Sequence, residues 1–212
     1  MSISISLQAG GISSRMGMDK GLLPFLGVPL VERIFLRLLP ITNNIFVTSN
    51  NLQAYAFLNV PVFADIYPGK GTLGGVITAM THANTDIVII VACDMPFVNP
   101  RLLQAQLERM VSTGCDVVIP KTPQGLEPLH SVYRVEKCLP AAEKALRRGE
   151  RRVISWFPEV DVRVMESKDI HHYDPGYHSF LNVNTPEDFG AAEGLALQID
   201  DRSLSDLMDA DE

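Results

Sequence analysis

The chain has 212 residues, 46% of them hydrophobic and 20% charged, with a formal net charge of −7. This length suits one domain with a full core, and the balance excludes a disordered or fibrous chain. No stretch approaches the ~20 apolar residues of a membrane span, no basic stripe suits nucleic acid, and the start MSISISLQAGG lacks the basic region of a secretory signal. A cytoplasmic protein with no nucleic-acid or membrane partner is therefore expected.

The charge is unevenly spread. Residues 200–212 hold six acids and one base, Arg202, so this end carries −5 and the rest only −2. The expected organisation is one domain over residues 1–197, followed by an acidic, mobile tail over 198–212. Cys93, Cys115 and Cys138 are scattered with no CxxC pair, as befits small buried hydrophobes rather than disulfides or a zinc site.

Short apolar runs alternate with helical periodicity, which predicts an α/β chain. Ile3–Leu7 is a first strand running into Gly10-Gly11. Pro29 opens a helix with Leu30, Ile34, Phe35 and Leu38 on one face. Ile45–Thr48 and Val60–Ala64 are further strands, and Leu73–Ala83 is a helix entered from a Gly69–Gly75 loop. Ile87–Ala92 is an unbroken apolar run, expected at the centre of a parallel sheet. Asn99 caps a helix with Pro100 at its first position, reaching about Val111. Val117–Pro120, Ser131–Arg134, the edge-like Val160–Met165 and Phe180–Val183 follow as strands. Pro140–Arg148 is a helix between them, and Thr185–Asp188 caps a last helix to about Leu197.

Chemistry concentrates at two places. The first is Gln8–Lys20, where a glycine pair after a strand lets backbone N–H groups approach an anion. Ser13 and Ser14 add hydroxyls there, and Arg15 and Lys20 add fixed positive charge for phosphate oxygens. The run contains no GxxxxGK[ST], so it is not a P-loop. The second is Asp94, at the carboxyl end of the strongest strand, where ligands gather in open α/β sheets. A hard carboxylate there suits Mg²⁺, which binds through one or two carboxylates plus substrate phosphates.

The run AGGISSRMGMDKGLLPFLGVPLVER, residues 9–33, resembles the signature of the molybdenum cofactor guanylyltransferase family. The resemblance extends to Ser49-Asn50, to Asp65 with Gly71–Gly75, to Cys93–Pro96, to Glu127–His130, which it places near the acceptor site, and to FLNVNTPED at 180–188. Gln8 stands where the family has an apolar residue, and Thr72 where it has proline. The resemblance implies a three-layer, Rossmann-like fold with a central, mostly parallel sheet, as in nucleotide-diphospho-sugar transferases. It also implies transfer of GMP from GTP to a molybdopterin acceptor with release of pyrophosphate. Arg15, Lys20 and Asp94 would be catalytic, with Mg²⁺ on Asp94. Gln8, Ala9, Gly10, Gly11, Lys20, Asn50, Asp65, Gly71, Gly74 and Asp94 would hold the nucleotide. Asn182 and Asn184 would face the acceptor, and proteins that mature or insert the cofactor would be partners.

Other readings compete. The same chemistry could use another triphosphate, such as CTP, or another acceptor. Gly69–Gly74 is formally GxGxxG, which would suit a dinucleotide-binding oxidoreductase, although a lone match is weak and Asp65–Pro68 separates it from the preceding strand. A non-catalytic adaptor on a nucleotide-binding fold is a third possibility. His171, His172 and His178 suit a solvated loop better than a metal site. Lys144, Arg147, Arg148, Arg151 and Arg152 could be a helix end suiting the macrodipole or a contact for an anionic acceptor.

Overall fold

The computed structural model describes residues 1–9 and 19–208, and for 200–208 only the backbone course. Gly10, Gly11, Ser13, Ser14 and Arg15 lie outside the described residues. The first half contains β1 (Ile3–Gln8), a 3-10 turn (Lys20–Leu22), a small hairpin of β2 (Pro24–Phe25) and β3 (Val28–Pro29), α1 (Leu30–Leu38), β4 (Ile45–Thr48), β5 (Val62–Phe63), α2 (Gly71–His82) and β6 (Ile87–Ala92). The second half contains α3 (Pro100–Thr113), β7 (Val117–Thr122), β8 (Gly125–Leu126), β9 (His130–Arg134), α4 (Val135–Arg147), β10 (Val162–Met165), α5 (Ser167–His171) and α6 (Pro186–Met208).

The main sheet runs in the order β10-β7-β9-β6-β1-β4-β5, with β8 paired to β7. Its parallel pairs are β1 with β4 and β6, β4 with β5, and β7 with β10. β9 lies antiparallel between β6 and β7 and is the one reversed strand on that path. β6 is therefore central but bounded by one parallel and one antiparallel neighbour. All six of its residues are buried, as its apolar sequence requires.

Alternation along β6 divides the core in two. Ile87, Ile89 and Val91 pack in the layer of α1, α3 and α6. Val88 and Ile90 pack in the layer of α2 and α4, with Trp156. Burying each such side chain contributes roughly 1.5–3 kcal/mol, so β6 anchors both layers. The result is the expected three-layer α/β fold with a mostly parallel sheet.

Several element bounds differ from the sequence expectation. α2 starts at Gly71, so its glycines lie inside the helix. Burial of Leu73, Val76, Ile77 and Met80 outweighs a glycine penalty of about 1 kcal/mol each. α4 starts five residues before Pro140, because Cys138, Ala141, Ala142 and Ala145 form one continuous buried face. In α1 the buried set is Leu30, Val31, Ile34 and Leu38, with Phe35 only half-buried.

Residues 180–183 are not a strand. Phe180 closes a 3-10 turn, and Val183 N–H donates to the Asp94 carbonyl at 2.9 Å, away from any strand edge. α6 continues past Leu197 to Met208. It begins with a reciprocal cap. Asp188 Oδ2 accepts from the backbone of Asn184 and Thr185, and Thr185 Oγ1 accepts from Asp188 N–H at 3.1 Å. Thr185→Ala is expected to cost about 1 kcal/mol through loss of this cap, read as a lowered midpoint in denaturant unfolding.

Candidate active site

From β1 the chain moves outward through α1 to β4 and β5, then returns to β6 on the opposite side of β1. The carboxyl ends of β1 and β6 thus flank a topological switch point, where the sheet opens a crevice. Gln8 closes β1 and its carbonyl accepts from Cys93 N–H at 3.1 Å. Asp94 follows directly, placing its carboxylate over the crevice.

Lys20 reaches the same point from the 3-10 turn. Asp19 caps that turn, its Oδ1 accepting from Gly21 N–H at 3.2 Å. Gly21 sits so close to Tyr55 and Cys93 that a Cβ would lie 3.0 Å from the Tyr55 hydroxyl. Lys20 Nζ donates to Asn184 Oδ1 at 2.5 Å and stands 3.6 Å from Asp94 Oδ2. The lysine is 17% exposed and the carboxylate 23%. Burial pushes the Asp94 carboxyl above the ordinary carboxylate range, and the Lys20 charge opposes that rise. Such a pair is poor evidence of stabilisation, since desolvation consumes the Coulombic gain.

Asp19, Lys20, Cys93 and Asp94 lie at the floor of a cavity of about 1260 Å³. Asn50, Asp65, Gly69, Gly71, Gly75 and Thr78 line one side. Asn50 Oδ1 accepts from Asp65 N–H at 3.1 Å, so these two expected nucleotide contacts hold each other. Asp65 Oδ1 accepts from Tyr67 N–H and the Thr78 hydroxyl, each at 2.9 Å. Gly69 and Gly71 have φ of +75° and +65°, which a side chain would strain.

Gly74 is not among the cavity-lining residues. Its Cβ position faces the Tyr67 carbonyl at 3.0 Å, whereas Gly75 faces Gln8. A Cβ on Gly75 would come within 2.7 Å of Gln8 Oε1. The Gln8 amide in turn donates to Ser6 Oγ at 2.9 Å. The polar residue at position 8 is thus accommodated by a glycine on α2. Seven residues separate β5 from Gly71, so these glycines do not form the tight strand-to-helix turn of a dinucleotide fingerprint.

On the other side, Glu127, Pro128 and Leu129 line the cavity, with the Leu129 carbonyl accepting from Ala92 N–H at 3.0 Å. His130 turns away into the core. Its ring lies 4.9 Å from that of Phe180, Nδ1 is 3.2 Å from Gln106 Nε2, and burial lowers its pKa to about 4.

Asp94 Oδ1 is buried and has no hydrogen-bond partner, so the carboxylate has unused acceptor capacity. Among the described residues no group of three His, Cys, Asp or Glu could hold a metal. The donor set therefore fits an ion held by one carboxylate with phosphates and water, the habit of Mg²⁺, and not an all-protein cage.

Asn182 lines the cavity, its amide donating to the Phe180 carbonyl at 3.2 Å. Asn184 Oδ1 accepts from Lys20 Nζ. The basic cluster divides as well. Lys144 and Arg148 both pair with Glu159, while Arg151 donates to the Gly69 carbonyl at 3.2 Å, at the cavity edge. His171 and His172 are exposed, and all three cysteines are free and buried.

A polar crevice at a switch point, with a lysine and a carboxylate beside glycine-lined walls, defines a nucleotide-binding α/β protein suited to phosphate chemistry. Residues 6–162 match the family described as the MobA-like NTP transferase domain. The "Probable molybdenum cofactor guanylyltransferase" of Carboxydothermus hydrogenoformans is 34% identical over 190 residues, covering 88% of this chain and 93% of the relative. The molybdenum cofactor guanylyltransferase of Vibrio vulnificus is 33% identical, covering 87% and 93%. Molybdopterin-guanine dinucleotide biosynthesis protein A from Archaeoglobus fulgidus has a similar structure, with TM-score 0.79 and 25% identity over 92% of this chain and 99% of that one. The chain belongs to the MobA-like NTP transferase family and is a nucleotidyltransferase. No helix among the described residues is long and apolar enough to cross a membrane.

Asp19 and Gly75 line the cavity although the sequence assigns them no site role, and Glu127 lies in the Glu127–His130 segment that the resemblance places near the acceptor. The Asx-type capping of Asp19 was open to inspection beside Lys20. The contacts of Gly75 and Glu127 depend on elements distant in sequence.

The raised Asp94 pKa has a consequence for stability. Ionising this group costs more in the folded chain than in the unfolded one, so its contribution declines as pH rises from the unfolded pKa through the folded one. Asp94→Asn is therefore expected to raise the thermal midpoint of the ligand-free protein at pH 7. That gain should vanish in acid below both pKa values, where Asp94 is neutral in both states. Thermal unfolding of the two proteins across pH checks this, and buried His130, common to both, cancels in the difference.

Proposed function

We propose that this enzyme transfers GMP from GTP to the terminal phosphate of molybdenum-bound molybdopterin, releasing pyrophosphate in an Mg²⁺-dependent reaction. The observation that carries this reading is the Lys20–Asp94 pair at the β1–β6 crevice, together with relatives named for guanylyl transfer. Both substrates are anionic, so the main barrier is bringing phosphates together and accommodating charge in the transition state.

Lys20, aimed by Asn184, neutralises charge developing on the α-phosphoryl group and the leaving pyrophosphate. Arg15 shares that task. Asp94 holds the cation, and Mg²⁺ when bound supplies positive charge to the phosphate oxygens. No general base is needed, because a phosphate monoester acceptor with a second pKa of about 6 is already largely ionised at neutral pH.

Asn50 and Asp65 orient the guanine and ribose, Gln8, Ala9 and Gly71 meet the nucleotide on the cavity wall, and Gly10 and Gly11 are assigned to the nucleotide by the family resemblance. Asn182 contributes to the acceptor-phosphate side. Asn184 acts there through Lys20. The cytoplasm is the proposed location, with cofactor-maturing or cofactor-inserting proteins taking the product.

Lys20→Ala is expected to lower kcat by on the order of 10²–10³-fold, as for loss of a group that stabilises transition-state charge. Asp94→Ala should abolish turnover, and circular dichroism should show both variants folded. Near-normal transfer by Asp94→Ala would sink the metal assignment. Asp65→Asn retains a carbonyl for Tyr67 and Thr78 but loses a carboxylate oxygen, so it should chiefly raise the KM for GTP. A thermal-shift panel of GTP, CTP, ATP, UTP and NAD with Mg²⁺ tests the nucleobase, since a ligand specific to the folded state raises the midpoint.

A further inference from the structure

Glu127 is a half-buried carboxylate on the wall of the cavity opposite Asp65. Its backbone is pinned at both ends. Its N–H donates to the Pro120 carbonyl at 3.0 Å, and its carbonyl accepts from His130 N–H at 3.1 Å and Ser131 Oγ at 2.6 Å. The side chain is also held, with Oε1 accepting from the Thr122 hydroxyl at 3.0 Å. Burial pushes its carboxyl above the usual range, with the Thr122 hydrogen bond opposing. Among the described residues no cation stands within ion-pair distance of it.

A rigid, partly desolvated carboxylate is unfavourable in a cavity that admits phosphates, unless a ligand brings it hydrogen-bond donors. The complementary neutral ligand carries two adjacent donors, an N–H beside an amino group. That is the edge of a 2-amino-4-oxo-pyrimidine ring, present in both guanine and a pterin.

Position distinguishes the two sources. Asp65 follows β5, three strands from β6 on the β1 side, or roughly 14 Å at the usual strand spacing. Glu127 lies across β6, on the turn that leads into the adjacent β9. One heterocycle cannot reach both walls, and the Lys20–Asp94 pair lies between them. We propose that Glu127 recognises the acceptor, taking the N3–H and 2-amino edge of its pterin while Asp65 serves the nucleotide. This rests on the guanylyl-transfer reading above.

The test uses the full chain and its Glu127→Gln and Glu127→Ala variants. In Glu127→Gln the side-chain carbonyl remains held by Thr122, so the amide nitrogen meets the ligand's donors and the match is lost. The probes are 6-hydroxymethylpterin monophosphate and its lumazine counterpart, which has an oxygen in place of the 2-amino group. Their Kd values are read from ligand fluorescence, and GTP binding by calorimetry. The wild type should favour the pterin by about tenfold or more, as expected for a site built around that donor pair. Both variants should lose the preference through weaker pterin binding, with GTP affinity and thermal midpoint unchanged.

Equal binding of the two probes by the wild type, or a preference retained by the variants, overturns the proposal. A loss falling on GTP overturns it too and assigns the carboxylate to guanine. Guanylyl transfer by the wild type to molybdopterin, measured in parallel, keeps the two readings separate. Transfer without pterin preference overturns the role of Glu127 alone, and preference without transfer overturns the activity alone.

Discussion

The parallel pairing of β1 with β6 is the constraint on which the molecule depends. Their register runs from Ile3 opposite Ile87 to Gln8 opposite Ala92, so both strands end together at the crevice. The chain continues from β1 to β4 on one side of this pair and from β6 to β7 on the other. This topology brings the Cys93–Asp94 turn beside Gln8 at the end of β1, although more than eighty residues separate them in sequence. The same register allows the turn at Lys20 to face Asp94 across the opening.

The crevice is held open at an energetic cost. Burial raises the Asp94 and Glu127 carboxyls, and Asp94 retains an oxygen with no partner. A chain optimised only for stability would carry neutral or apolar groups here. The buried strands of both core layers stabilise the fold enough to tolerate these carboxylates.

Several site elements are supports whose value appears only in contact. Asn184 aims Lys20 and is itself held by Asp188 at the start of α6. Gln8 lies over Gly75, and Gly21 packs on Tyr55 and Cys93. The glycines of 69–75 illustrate how sequence reading can divide. Their freedom of approach is legible in the sequence, but the helix begins earlier than its periodicity predicts, and Gly75 lines the cavity where Gly74 does not. Helical rotation, not composition, decides which of two neighbouring glycines faces the cavity.

By itself the sequence determined the α/β alternation, the buried course of β6, the Asn99–Pro100 start of α3 and the likeness to the guanylyltransferase family. Those features rest on local periodicity, capping chemistry and contiguous motifs, all of which involve near neighbours. Only the tertiary structure decided that β9 runs against its neighbours, that residues 180–183 bond to the Asp94 loop in place of a strand, and that Glu127 faces the cavity while His130 is buried. Each of these depends on which distant backbone groups and side chains come within a few ångströms, and no pattern confined to one segment encodes that.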